Sequence, residues 1–503
     1  MTPLPPLQIS LCNISLQFIF ILILLTFILV ISSLYLFFSP PTTIPIIPED
    51  IEDKHIPDEV KEAGFVSFLR KKHLEYGWIV PGLPLKNTIS IIDPTAIKSS
   101  LHVGDRPKHL YQFLEPVWGK DNLQVLSAKR ASKYRKLFRP ALTVGAFSDQ
   151  YNDIRNLGVE MIDKWEKNIV FKHENVIRMQ DQSLEFSLKA TIKALTRQAI
   201  LSIDYADLPQ DFDLRFYKKA YEDVIGGLYD KQFSVINDLR NERIHNSLKQ
   251  LFEVLCSLID ERKGKVDNLK TIDLLGLLVS EKDPETGNTF DDDKIRSMMS
   301  IFLTFGYLTT GVAISWTIFC ITQDRDVQIK IQNEINRVLK GRLPSLSDLS
   351  NLCYLTQVIK ESLRLYPPTP FLSRYLTKKM NLKASKDSFK LLAGTTILYP
   401  ITSIHEDEHL FHNSKKFDPS RFSSDQFKKT EPFSHCPFGF GNRVCPAEEV
   451  AMVEIKLMLC LIMQRFHVEL AMPLNKVVGN EKFVLMARND IYVKLVPRED
   501  IED

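Results

Sequence analysis

The residues with the greatest chemical potential lie near the C-terminal end, in Phe438-Gly439-Phe440-Gly441-Asn442-Arg443-Val444-Cys445-Pro446-Ala447. Apolar residues then recur at Val450, Val453, Leu457 and Leu461, the spacing of one helix face. Cys445 therefore stands at the end of a glycine-containing loop, just ahead of a helix N-terminus. The positive end of a helix and nearby backbone N–H groups favour a thiolate over a thiol, and the thiolate is the metal ligand. Gly439 and Gly441 let the backbone turn tightly and approach a flat ligand closely. Arg443 adds a cation suited to a carboxylate. A lone cysteine before a helix is ordinarily a small buried hydrophobe, but here the whole string must be explained. Cys436 is a rival thiol, with none of these residues at the matching spacing.

Two other stretches must position this loop. Glu361 and Arg364 stand three apart in a helical run ending at Pro367-Pro368, so acid and base share one face and can pair. A solvated surface pair would contribute little. The second stretch is a long apolar helix reaching about Thr322, opened by Asp291-Asp292-Asp293, acids that suit the positive end of a helix. Its middle reads Phe305-Gly306-Tyr307-Leu308-Thr309-Thr310.

The Cys445 string resembles the cysteine loop of cytochromes P450, whose Phe, Gly, Arg and Cys positions fall on Phe438, Gly441, Arg443 and Cys445. Ala447 stands where the family usually has Gly. Leu355 to Lys360, Glu361-Ser362-Leu363-Arg364 and Leu365 to Pro370 resemble the family's K-helix region. His405-Glu406-Asp407 and Phe417-Asp418-Pro419-Ser420-Arg421-Phe422 follow in the family's order. The resemblance implies a mainly α fold with small β-sheets (α+β), and haem b (iron protoporphyrin IX) with Cys445 as axial ligand of the iron. It makes Glu361, Arg364 and Arg421 a structural triad locking the haem-binding core. Arg374 and Arg135 would reach the haem propionates. Near Arg135 the family's aromatic partner is missing, because Ala131 occupies that place; a solvated basic helix face is the other reading of Arg135.

The apolar helix corresponds to the family's I helix, which normally carries a small residue, Gly, any residue, an acid, then Thr. Gly306, expected to leave room above the iron, and Thr309, with a distal hydroxyl, match. Phe305 and Leu308 depart, and Leu308 removes the acid. Protons must then come through water and Thr309, from Thr304 one turn earlier, or from substrate. A helical Thr bonding back to its own backbone is the plainer reading of Thr309. Phe302, Phe305 and Leu308 from this helix, and Thr369, Phe371 and Leu372 after the K helix, are expected to line an apolar pocket. Residues 483–485 are expected to enter from a C-terminal hairpin, with residues 111–113 and 212–229 forming the entrance. Ile56-Pro57-Asp58-Glu59-Val60, Phe68-Leu69-Arg70 and Tyr76-Gly77, with the lost acid, resemble the animal orphan branch numbered twenty.

The start of the chain has a different task. Residues 1–17 read as a short tail. Residues 18–38 are almost continuously apolar, roughly the 20 residues that cross a bilayer core. A cleaved signal peptide would be shorter and follow a basic start, whereas the first Lys or Arg is Lys54. Residues 39–49 hold Pro40, Pro41, Pro45 and Pro48, which stop a helix and stiffen the backbone into a hinge. Residues 50–503 then form one catalytic unit. Lys61, Arg70, Lys71 and Lys72 place that body in the cytosol by the positive-inside tendency, which with the resemblance implies a single-pass anchor in the endoplasmic reticulum membrane. The Asn13-Ile14-Ser15 sequon lies too near the membrane to carry weight.

Composition agrees. Of 503 residues, 44% are hydrophobic and 25% charged, as in globular proteins. A net charge of +2 gives no field for nucleic acid. Seven scattered cysteines fit a reducing compartment. The resemblance therefore implies a monooxygenase that inserts one atom of dioxygen into a sterol, fatty acid or xenobiotic. Electrons would come from NADPH through a flavoprotein reductase, with a cytochrome b-type protein as a further donor. The alternatives are reductase-independent rearrangement or dehydration of lipid peroxides, to which the loss of the acid at Leu308 points, and a non-catalytic haem sensor.

Overall fold

The computed structural model describes residues 42–43, 65–81, 87–119, 121–197, 253, 255–264, 273–481 and 483–498. The expected anchor at 18–38, the branch-like stretch at 56–60 and the entrance segment at 212–229 lie outside them. Within the expected hinge, β1 (Thr42–Thr43) is extended.

The helices that build the site are α1 (Phe65–Tyr76), α2 (Ala128–Phe138), α3 (Tyr151–Lys172), α4 (Met179–Thr196), α5 (Asp292–Thr322), α6 (Arg325–Leu339), α7 (Cys353–Leu365) and α8 (Glu448–Arg465). The longest, α5, starts where the Asp291 carboxylate accepts from the Lys294 N–H, satisfying a donor that a helix start leaves open. Asp292 and Asp293 then oppose the dipole. Among the described residues only α5 is long and apolar enough to cross a membrane, and its apolar window is 72% buried inside the fold. It is the central core helix.

Helix α4 packs along α5 at close range. A Cβ on Gly311 would stand 2.9 Å from the Leu184 Cα, and one on Gly306 would stand 2.5 Å from the Thr191 Cγ2. At Gly311 the approach is backbone to backbone and requires glycine; at Gly306 the neighbour is the Thr191 side chain. Helix α8 packs on α5, α3 and α6. Trp316 of α5 stacks on Tyr366, with centroids 4.2 Å apart and planes 3° apart, and donates its indole N–H to the Leu485 carbonyl at 2.9 Å.

Small sheets flank this helical body. One sheet runs β2 (Ile79–Pro81), β3 (Thr88–Ile91), β8 (Thr396–Pro400), β5 (Phe371–Tyr375). In it β3 and β8 are parallel and β5 is antiparallel to β8, with Arg374 opposite Ile397. A second sheet orders β1, β7 (Ser388–Leu391) and β6 (Met380–Lys383). A third orders β4 (Val176–Arg178), β12 (Tyr492–Pro497) and β9 (Phe466–Leu470), and β10 (Gly479–Glu481) pairs with β11 (Leu485–Ala487) as a hairpin. The main core surrounds α5. A smaller one, including Ile89, Ile397 and Tyr399, lies under the four-stranded sheet. The mainly α fold with small sheets agrees with the expectation.

Gly311→Val forces side-chain atoms into the Leu184 backbone. It is expected to destabilise the fold by about 1–3 kcal/mol, read as a lowered midpoint in chemical denaturation.

Candidate active site

The loop carrying Cys445 is closed by its own backbone. The Cys445 N–H donates to the Phe438 carbonyl at 2.9 Å, and the Gly439 N–H to the Cys436 carbonyl at 2.9 Å. Both turns run through left-handed glycines, Gly439 at φ +77° and Gly441 at φ +63°. A Cβ on Gly441 would fall 2.5 Å from the Leu101 carbonyl oxygen. The loop delivers Cys445 three residues ahead of α8.

Burial pushes the Cys445 thiol up; the Ala447 N–H and Arg135 pull it down and Glu448 pushes it further up. Loop and helix start thus do less for the thiolate than the sequence predicts. Desolvation outweighs them. The rival Cys436 is fully packed, its thiol pushed up to about 12 by burial.

Cys445 lines one cavity together with Phe438, Gly439, Arg443 and, on the facing helix α5, Phe302, Phe305, Gly306 and Thr309. Thr369, Phe371 and Leu372 complete a wall, and Phe483 and Tyr111 also reach it. These placements match the sequence reading. Leu308 does not: it is buried in the core and does not line the cavity, because its position points it away from the face shared by Phe305 and Thr309. Thr304 is buried too, donating to the Ser300 carbonyl at 2.6 Å and accepting from the Trp118 indole at 3.4 Å, so it offers no free hydroxyl to the cavity. The Thr309 hydroxyl donates back to the Phe305 carbonyl at 2.6 Å. The side-chain space absent at Gly306 is taken by Thr191 of α4.

The cavity's charge is one-sided. Arg106, Arg135 and Arg443 line it, and Arg374 packs behind. The Arg443 Nε donates to the Gly104 carbonyl at 2.7 Å and its Nη1 to the Leu123 carbonyl at 3.1 Å. The Arg135 Nη2 donates to the Val444 carbonyl at 2.6 Å. Arg374 is not at the cavity surface; its N–H groups are taken by the Ser373 and Phe440 carbonyls at 2.9 and 3.2 Å. Burial lowers Arg443 to about 9 and Arg374 to about 10, and repulsion from neighbouring guanidiniums adds to it. The Arg106 Nε is buried with no partner. Asp105 opposes the cluster, but its Oδ1 accepts from the Ala128 N–H. Such a site calls for carboxylates from a ligand, and the two propionates of haem answer that need. Among the described residues no three His, Cys, Asp or Glu side chains gather to hold a bare metal ion. A single thiol would suit an iron whose other ligands a porphyrin supplies.

Arg106 escaped the sequence reading, since Asp105-Arg106-Pro107 has no telling pattern. Glu454 did too. It is buried in α8, lines the same cavity, and is pushed up to about 8 by burial, so it is neutral at pH 7. With Ala131 buried where an aromatic was expected, α2 is held by Tyr134, whose hydroxyl lies 2.9 Å from Asp283 Oδ1 and 3.0 Å from Glu285 Oε2.

The Glu361–Arg364 pair has no exposed side-chain surface. Arg364 Nε and Nη2 donate to the two Glu361 oxygens at 2.8 Å each. Arg421 Nε stands 3.3 Å from Glu361 Oε1, and the Asp418 N–H donates to that oxygen at 2.9 Å. His405 links this cluster to the cysteine loop. Its carbonyl accepts from Arg364 Nη1 at 2.7 Å, its Nδ1 lies 3.0 Å from the Arg364 carbonyl, and its Nε2 accepts from the Cys436 N–H at 3.0 Å. These partners require the neutral Nδ1–H tautomer. Sequence order placed His405 between the two motifs without showing that it touches both.

Glu361→Gln leaves Arg364 buried without its counter-charge. A loss of about 3–5 kcal/mol is expected, measured by denaturation. Burial holds His405 well below 6.5 and His435, stacked on it, at about 3. The unfolded chain takes up these protons as pH falls below about 6.5. Stability from both rings is therefore full above that pH and lost as pH drops toward 3. His435→Asn should flatten the fall measured in denaturant series between pH 7 and 5.

A family model described as Cytochrome P450 matches residues 59–495. The chain is 27% identical to human cytochrome P450 4X1, with 82% of each chain covered. It is 27% identical to human ultra-long-chain fatty acid omega-hydroxylase and to mouse leukotriene-B4 omega-hydroxylase 3, each over 84% of this chain and 82% of the relative. The narrower resemblance to the orphan branch numbered twenty draws no support from these relatives. With the family model spanning most of its length, this chain belongs to the cytochrome P450 family, oxygen-incorporating oxidoreductases that bind haem b through a cysteine thiolate and draw electrons through a reductase.

Proposed function

We propose that this protein is a membrane-anchored monooxygenase of lipids, in which the Cys445 thiolate would hold the haem iron. The observation that carries the reading is that Cys445 and Thr309 line one and the same cavity. Haem b, when bound, supplies the activation of dioxygen. Arg106, Arg135 and Arg443 would hold its propionates, with Arg374 supporting the cluster from behind. Gly439 and Gly441 would let the loop approach it. Phe302, Phe305, Thr369, Phe371, Leu372 and Phe483 would bind and orient the substrate's apolar body and exclude water. The Thr309 hydroxyl can rotate from the Phe305 carbonyl toward the cavity and pass a proton from water. The names of the relatives, hydroxylases of a fatty acid and of a leukotriene, favour a lipid over a xenobiotic. Residues 18–38 would hold the body at the endoplasmic reticulum membrane, facing the cytosol, beside an NADPH-cytochrome reductase and a cytochrome b-type donor.

A second reading rests on α5. No Asp or Glu of α5 lines the cavity, and rearrangement of a lipid peroxide needs no distal acid. NADPH-dependent turnover with a reductase supports the first reading; hydroperoxide consumption without reductase supports the second.

The test of the shared site is the absorption spectrum of the reduced, carbon monoxide-bound protein. The wild type is expected to show the thiolate-type Soret band and Cys445→Ala to lose it. A mutant band identical to wild type would sink the ligand assignment.

A further inference from the structure

We propose that Phe305, backed by Trp118 and Phe483, is a fixed aromatic wall beside Thr309 that admits the unbranched end of an aliphatic chain and turns away fused or clustered rings. The inference rests on the lipid monooxygenase reading and selects among the lipids that reading allows.

The three rings form one unit. Centroids are 5.3 Å apart for Trp118–Phe305, 5.9 Å for Trp118–Phe483 and 5.7 Å for Phe305–Phe483. Contacts of this geometry add attraction beyond burial. Trp118 has no exposed surface. Its indole N–H donates to the Thr304 hydroxyl, and its carbonyl accepts from the Ser297 hydroxyl, so α5 holds it at both ends. Phe305 therefore has no room to swing outward.

The helix beneath the ring is hemmed in on its α4 side as well. Gly311 meets the α4 backbone at Leu184 and Ser183 with no room for a Cβ, and Gly306 meets the Thr191 side chain. Any shift of α5 toward α4 drives one helix into the other. Interiors packed at crystal-like density do not yield to such a push. Phe305 and Thr309 are four apart on one helix face, and the Thr309 hydroxyl bonds the Phe305 carbonyl. The ring thus stands one turn from Thr309.

Other aromatic residues of the cavity are anchored in the same manner. Phe302 meets Phe138 edge to face at 5.6 Å, and Phe371 meets Phe65 at 5.5 Å. These rings carry no hydrogen-bonding atom, so this wall offers nothing to a hydroxylated ring system. A methyl-ended chain needs only apolar contact and little width.

The test uses the full chain loaded with haem and two iron-coordinating imidazoles, one with a long unbranched alkyl chain and one bearing three aryl rings. Binding is read from the Soret shift, without turnover. The wild type is expected to bind the alkyl ligand more tightly. Phe305→Ala should raise affinity for the triaryl ligand by about ten-fold or more and change the alkyl ligand far less. If Phe305→Ala does not fold, Phe483→Ala, on the loop before β11, should shift the same preference. A normal Soret band with equal affinities in wild type, or with no change of preference in the soluble variant, overturns the wall alone. Failure of the wild type to bind haem overturns the enzyme reading together with this proposal.

Discussion

A carboxylate with no exposed surface stays ionised only if cations and N–H donors surround it. Glu361 meets that condition through Arg364, Arg421 and the Asp418 N–H. The demand draws together α7, the turn at Pro419–Phe422 and, through Arg364, the carbonyls of His405 and Lys416. His405 then passes the constraint to Cys436, at the start of the cysteine loop. The position of Cys445 follows from this chain of contacts as much as from its own loop.

The opposite wall has a different origin. Helix α5 is placed by close contact with α4, made possible by Gly306 and Gly311, and by Trp316 against Tyr366. Polar bonding sets the thiol side, and shape sets the hydroxyl side. The cavity is the gap that two separately anchored structures leave between them. Its rim gathers guanidiniums that repel one another, a cost that Asp105 and backbone carbonyls offset in part and that an anionic ligand would offset further. Folding and cofactor binding are coupled through that cost.

On the facing wall, the loss of an acid at Leu308 removes less than sequence comparison suggests, because that side chain turns into the core. The departure with more effect is Phe305, which puts a ring where the family has a small side chain. Its consequence is steric, and it acts on which part of a substrate can approach Thr309.

Sequence by itself determined the features built from near neighbours. The glycine-rich approach to Cys445, the start of α5 at Asp291 and the same-face placement of Glu361 and Arg364 follow from local backbone rules that hold wherever the segment lies. The mainly α class and the expectation that Phe302, Phe305, Thr369, Phe371 and Leu372 share a pocket came instead from the resemblance of the motifs to those of cytochromes P450. Tertiary structure alone decided what depends on segments far apart in the chain. It brought Arg106 to the cavity, set Arg374 behind it, turned Leu308 and Thr304 away, gave the space at Gly306 to Thr191, and joined His405 to both the buried ion pair and the loop. Periodicity shows which residues share a face. It does not show which other element that face will meet, and at this site that meeting decides whether a side chain lines the cavity or fills the core.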